Sequence, residues 1–117
     1  MLKGLGNLGG LGDMAKMMKA AQEMQGKLAE LNEELARTVV MGEAGAGLVK
    51  VRATAKGDIT GLDIDPIILV ASEKEVAEDL ILAAVRDALQ QGKLRTEQEM
   101  GRLATELGIP PGMKLPT

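Results

Sequence analysis

Two groups of residues in this chain have types and spacings that could do chemistry. Asp63 and Asp65 stand either side of Ile64, and paired carboxylates can hold Mg²⁺ or relay a proton. Pro66 follows at once, so a solvated turn that closes a strand accounts for the pair more simply. Lys16, Lys19 and Lys27 form the second group. At about 100° per residue they fall within about 80° of one another on a helix, and cations so placed can neutralise phosphates. Glu23 lies among them and dilutes the stripe. A solvated helix face, or one lying on an anionic membrane surface, has the same pattern.

Two glycine patterns are weaker. Gly4-Leu5-Gly6-Asn7-Leu8-Gly9 fits G-x-G-x-x-G, but only three residues precede it, so no strand leads into the turn that a dinucleotide site needs. It reads as part of a loose tail. Gly42, Gly45 and Gly47 lack the Lys-Ser/Thr of a phosphate loop and read as a hairpin.

The absences narrow the chemistry further. The 117 residues include no Cys, His, Trp, Tyr or Phe. Thiol nucleophiles, imidazole bases and the usual zinc, copper and haem ligands are therefore missing. So are aromatic platforms for single-stranded bases. Serine occurs once, at Ser72, where a helix cap explains it. No enzymatic activity, cofactor, metal or small-molecule substrate is expected. No run of roughly 18 apolar residues or export signal is evident, so no membrane association and a cytoplasmic location are expected.

The net charge is −3, which argues against a uniformly basic nucleic-acid binder. Its distribution is uneven. Lys3, Lys16, Lys19 and Lys27 outnumber Asp13 and Glu23 over residues 1–28. Lys93, Arg95, Arg102 and Lys114 outnumber Glu97, Glu99 and Glu106 over residues 92–117. Between them, Glu73, Glu75, Glu78, Asp79 and Asp87 outweigh Lys74 and Arg86. Acid in the first turns of a helix suits its macrodipole, so this run takes a structural role.

The elements that must position these charges follow from periodicity. Met14, Met17, Ala21, Met24, Leu28, Leu31 and Leu35 recur in alternating steps of three and four, which predicts a helix from Asp13 to about Arg37 with a heptad seam. Asp13 is the expected N-cap. Strands are predicted over Thr38–Glu43, Leu48–Ala55 and Ile59–Ile64, with turns at Ala44–Gly47 and Lys56–Asp58. In the second strand Val49, Val51, Ala53 and Ala55 alternate with Lys50, Arg52 and Thr54, as in a half-buried antiparallel strand. Ser72-Glu73-Lys74-Glu75 predicts a capping box opening a second helix. Its apolar face is expected at Val76, Leu80, Ala83, Ala84 and Ala88, resuming at Met100, Leu103 and Leu107, with Gly92 bending or loosening it. Gly108 suits its C′ position, and Pro110-Pro111 stops it.

The reading is thus an α+β chain: a long N-terminal helix, a three-stranded antiparallel meander and a long C-terminal helix. Residues 1–12 form a Gly-rich tail, 13–108 one domain and 109–117 a C-terminal tail. Helices of this length overhang short strands, and overhanging seams call for a second copy, so a homodimer is expected.

Four segments bear a family likeness. Gly42-Glu43-Ala44-Gly45-Ala46-Gly47-Leu48-Val49-Lys50-Val51 resembles the hairpin signature of the YbaB/EbfC family of bacterial nucleoid-associated proteins. Ile64-Asp65-Pro66-Ile67-Ile68-Leu69 resembles its third-strand exit, and Glu78-Asp79-Leu80 with Ala83-Ala84 and Asp87-Ala88 its second-helix signature. Pro110-Pro111-Gly112-Met113-Lys114-Leu115-Pro116 is similar to its C-terminal tail. Residues 92–101 and the terminal Thr117 depart from it. The resemblance implies a tweezer-like homodimer that binds double-stranded DNA with little sequence preference and associates with the nucleoid.

Joined to the charges, it yields a mechanism. The start of the first helix and the end of the second should point to one distal side, with Lys16, Lys19, Lys27, Lys93, Arg95 and Arg102 on DNA phosphates. Lys3 and Lys114 are secondary contacts. The alternative is a protein–protein adaptor that uses the Met-rich helical face, with DNA contact incidental. A carboxylate enzyme built on Asp63 and Asp65 is a third.

Overall fold

The computed structural model describes residues 8–108. Helix α1 (Leu8–Arg37) is followed by β1 (Val39–Ala44), β2 (Val49–Thr54), β3 (Ile59–Ile64) and α2 (Lys74–Glu106). Short 3₁₀ turns at Pro66–Ile68 and Ala71–Glu73 join β3 to α2. The strands form one antiparallel sheet in the order β1-β2-β3. This is the expected α+β architecture. The segments around Gly4, Lys3, Pro110 and Lys114 lie outside the described residues.

The chain divides between Asn32 and Glu33 into two compact units. The first holds most of α1. This helix starts at Leu8, so Asp13 lies inside it and is not its N-cap. Glycine penalises a helix by about 1 kcal/mol without forbidding one, and no proline interrupts the run. Met14, Met17 and Met18 are exposed, Met17 to 70%. Only towards the end of this unit does the seam close, with Met24 and Leu28 half-buried and Leu31 buried.

The second unit begins with the end of α1, where Leu35 is only 2% exposed. Its core comprises Val40 on β1, Val49, Val51 and Ala53 on β2, Ile68, and Ala77, Ala84 and Ala88 on α2. Alternation places the valines of β2 inward and Lys50 and Arg52 outward, as expected. Thr54 departs from the pattern. It is buried, and its hydroxyl accepts the Asp58 N–H at 3.1 Å across the β2–β3 turn. That bond takes the hydroxyl out of solvent without leaving it unpaired.

Helix α2 crosses the sheet at close range. A Cβ on Gly42 of β1 would lie 2.6 Å from Ala88 Cα and collide with the backbone of Ala84 and Ala88. Small residues are therefore required on both sides of the crossing. The buried face of α2 runs through Ala77, Ala84, Ala88 and Gly92, while Val76 and Ala83 are exposed. The buried face is rotated slightly from the expected one, taking in Ala77 and Gly92 where Val76 and Ala83 were expected. Gly92 neither ends nor breaks α2. A Cβ there would sit 3.0 Å from the Ala55 carbonyl oxygen, so glycine lets the helix pass the β2–β3 turn. The Thr96 hydroxyl continues this contact, 3.2 Å from the Ala55 carbonyl oxygen and 2.9 Å from that of Gly92.

The expected capping box does not form. Ser72 lies within the 3₁₀ turn Ala71–Glu73, and Glu73 occupies the N-cap of α2 without a side-chain cap bond. The tighter turn bonds the Glu73 N–H to the Val70 carbonyl at 2.9 Å, so backbone replaces side chain there. At the other end Gly108 takes a left-handed φ of 72° and its N–H bonds the Thr105 carbonyl at 3.1 Å, as its C′ assignment requires.

Candidate nucleic-acid interface

On α1, Lys16, Lys19 and Lys27 are all exposed, and among the described residues none is in an ion pair. Their spacing keeps them on one side of the helix, with their charges available to an outside anion. Glu23 stands four residues from both Lys19 and Lys27, a spacing at which it competes with an outside anion for them.

On α2 the candidate cations divide. Arg95 and Arg102 are seven residues apart and share a face, while Lys93 stands about 180° round the helix from Arg102. Both arginines turn to Glu99. Arg102 donates to its Oε2 at 2.8 Å, and the Arg95 Nε lies 3.8 Å from the same oxygen. The spacings, i+4 from Arg95 and i+3 to Arg102, are those that bring helix side chains together. The Glu99 side chain is 12% exposed, whereas those of Arg95 and Arg102 are 47% and 70% exposed. Glu99 also lines a shallow crevice with Glu34, Leu35, Arg37, Thr38 and Arg95. Sequence reasoning counted Glu99 only as charge to be subtracted; its spacing from two arginines was the signal that would have singled it out.

Further cations stand on the sheet face opposite α2. Lys50 faces Glu43 and Asp63 across the strands, and Arg52 faces Met41 and Gly61. The Arg52 guanidinium lies against Gly61, in space that a side chain there would fill. The alternation of β2 had placed both residues outward, but they were not counted among the contacts. Asp63 and Asp65 do not make a common site. Asp65 accepts the Ile67 N–H at 2.9 Å as the cap of a 3₁₀ turn, and Asp63 stands in the sheet. Among the described residues no group of three or more potential metal ligands converges, and no helix is long and apolar enough to cross a membrane.

Two long helices and one three-stranded meander, with cations on solvent-facing helix surfaces, define a small α+β protein. The sequence profile of the YbaB/EbfC DNA-binding family matches residues 10–107, and the chain belongs to that family. It is 43% identical over 100 residues to the nucleoid-associated protein Atu0095 of Agrobacterium fabrum (strain C58 / ATCC 33970), covering 86% of this chain and 94% of that protein. Its fold is similar to the crystal structure of the uncharacterized protein HP0035 from Helicobacter pylori. The TM-score is 0.58 at 22% identity, over 86% of this chain and 96% of the other.

Proposed function

We propose that the protein is a non-enzymatic, nucleoid-associated protein of the cytoplasm that binds double-stranded DNA as a homodimer, mainly through phosphates and with low sequence specificity. Membership of a DNA-binding family carries this reading. The name of the Agrobacterium relative supports the nucleoid association. The exposed lysines of α1 and the arginines of α2 supply the mechanism. Lys16, Lys19, Lys27, Lys93, Arg95 and Arg102 neutralise phosphates and release counterions. A net charge of −3 keeps the contact confined to those helix surfaces, because the rest of the molecule repels the polyanion.

Low specificity follows from what reads bases. Base edges are read by a rigid helix or ribbon seated in the major groove through bidentate side chains. Lysines on flexible stems supply point charges instead. The homodimer rests on the seam of α1. Met14 and Met17 lie in solvent although they continue the heptad that ends in buried Leu31 and Leu35. A second copy gives that seam a partner of matching pattern. The adaptor reading assigns the same methionines to another protein, and a pull-down that survives nuclease would favour it.

The test is a salt titration of binding to two unrelated duplexes, run beside sedimentation. Expected are a log–log slope of about −0.9 per contacted phosphate, equal on both duplexes, and a dimer mass. Binding insensitive to salt, or confined to one duplex, contradicts the phosphate mechanism. A monomer mass under binding conditions contradicts the homodimer.

A further inference from the structure

We propose that Glu99 is a built-in competitor for DNA phosphates: it holds Arg95 and Arg102 in a shared ion pair and so attenuates binding. The inference rests on the reading that these arginines contact DNA. It goes beyond that reading by assigning an opposing role to an acidic residue.

Three observations carry it. First, Glu99 meets both arginines, one through a 2.8 Å charge-assisted bond and the other at 3.8 Å. Second, the carboxylate is largely withdrawn from water while the guanidiniums are not. A carboxylate in that position loses more on losing its cations than an exposed one does, because water does not replace them fully. Third, Glu34 lines the same crevice, so Glu99 has a like charge as a neighbour there. Moving both arginines to phosphates would leave two carboxylates facing one crevice with only Arg37 beside them.

The two arginines are held unequally. Arg95 sits at the longer distance and half in water, so it reaches a phosphate without giving up a hydrogen bond. Arg102 must exchange its bond to Glu99 for one to DNA. Arg95 therefore contributes more to binding in the native protein than Arg102, which contributes in full only when the Glu99 charge is removed.

Glu99→Gln keeps the shape and removes the charge, and binding is measured on the full chain with a random-sequence duplex. The expected result is affinity raised about five- to tenfold at ~0.1 M salt, with a slope steeper by about 0.9 for each arginine released. A merely structural role would leave the slope alone. Glu97→Gln is the control. Glu97 is exposed, in no ion pair among the described residues, and makes the same change in net charge. It should alter affinity by no more than about twofold, since a charge that meets no contact is screened over ~8 Å at physiological salt. Arg102→Ala should cost little by itself yet cancel much of the Glu99→Gln gain. Should glutamine disturb the fold by circular dichroism, Glu99→Ala serves in its place with the same expected direction.

Unchanged or weakened binding by folded Glu99 variants overturns the proposal. So does an equal gain from Glu97→Gln. If the native protein binds DNA and only the α1 lysines matter, the attenuation fails while the DNA reading stands. If the native protein binds no duplex at all, both fall.

Discussion

The leading part of α1 and the sheet with α2 solve the problem of burial in opposite ways. From Glu33 onward the chain closes its core with small residues, bringing α2 down on β1 where Gly42 meets Ala84 and Ala88. Before Asn32 the helix holds a regular apolar seam in water, with Met14, Met17 and Met18 exposed. Apolar surface of that regularity calls for a partner, whereas the sheet unit covers the inward face of β2 with α2 and leaves Val39, Met41, Ile59 and Leu62 of its strands exposed.

The largest effect that would test the contrast is at the crossing. Gly42→Val should cost at least ~4 kcal/mol or abolish folding in denaturant melts, because the neighbours it meets are backbone atoms that have no rotamer to give. A loss under ~1 kcal/mol would mean that helix and strand are not in close contact. Next, Leu35→Ala should lower unfolding free energy by about 3 kcal/mol, as expected for a buried leucine whose site collapses only in part. Met17→Glu should leave the sheet intact by circular dichroism but raise the dimer dissociation constant about tenfold, or ~1.4 kcal/mol, in sedimentation. An unchanged dimer would exclude this stretch of the seam from the interface. The smallest effect concerns Asp87, whose Oδ2 accepts the Glu43 N–H at 2.9 Å. Asp87→Ala should cost about 1 kcal/mol and speed hydrogen exchange at Glu43; unaltered exchange would remove it as the partner of that amide.

The elements were readable in the sequence wherever one period dominates. The two-residue alternation of Val49, Val51 and Ala53 gave β2 its buried face, and the steps of three and four gave α1. Boundaries were read less well. Gly9, Gly10 and Gly12 suggested a tail, yet the helix runs through them from Leu8. Ser72 to Glu75 had the spacing of a capping box, yet a 3₁₀ turn bonds the backbone there instead. Apolar spacing pointed to Val76 and Ala83, whereas the packed helix buries Ala77 and Gly92, and the close approach that calls for glycine at position 92 exists only once the sheet is present. The shared, exposed side of Lys16, Lys19 and Lys27 could be read from helical spacing alone. The pairing of Arg95 and Arg102 with Glu99 could be suspected from spacing, but the withdrawal of Glu99 from water depends on residues distant in the chain.

The central claim is that an acidic protein holds DNA through a few cations gathered on chosen helix surfaces. Its most direct test compares the triple charge reversal Lys16→Glu, Lys19→Glu and Lys27→Glu with the single reversal Lys74→Glu at the acidic start of α2, on two unrelated duplexes. The account predicts that the triple variant loses at least ~10-fold affinity on both duplexes and about 2.7 from the magnitude of the salt slope, while Lys74→Glu binds within about twofold of the native protein. An equal loss from Lys74→Glu, or a triple variant that binds as the native protein does, would contradict it.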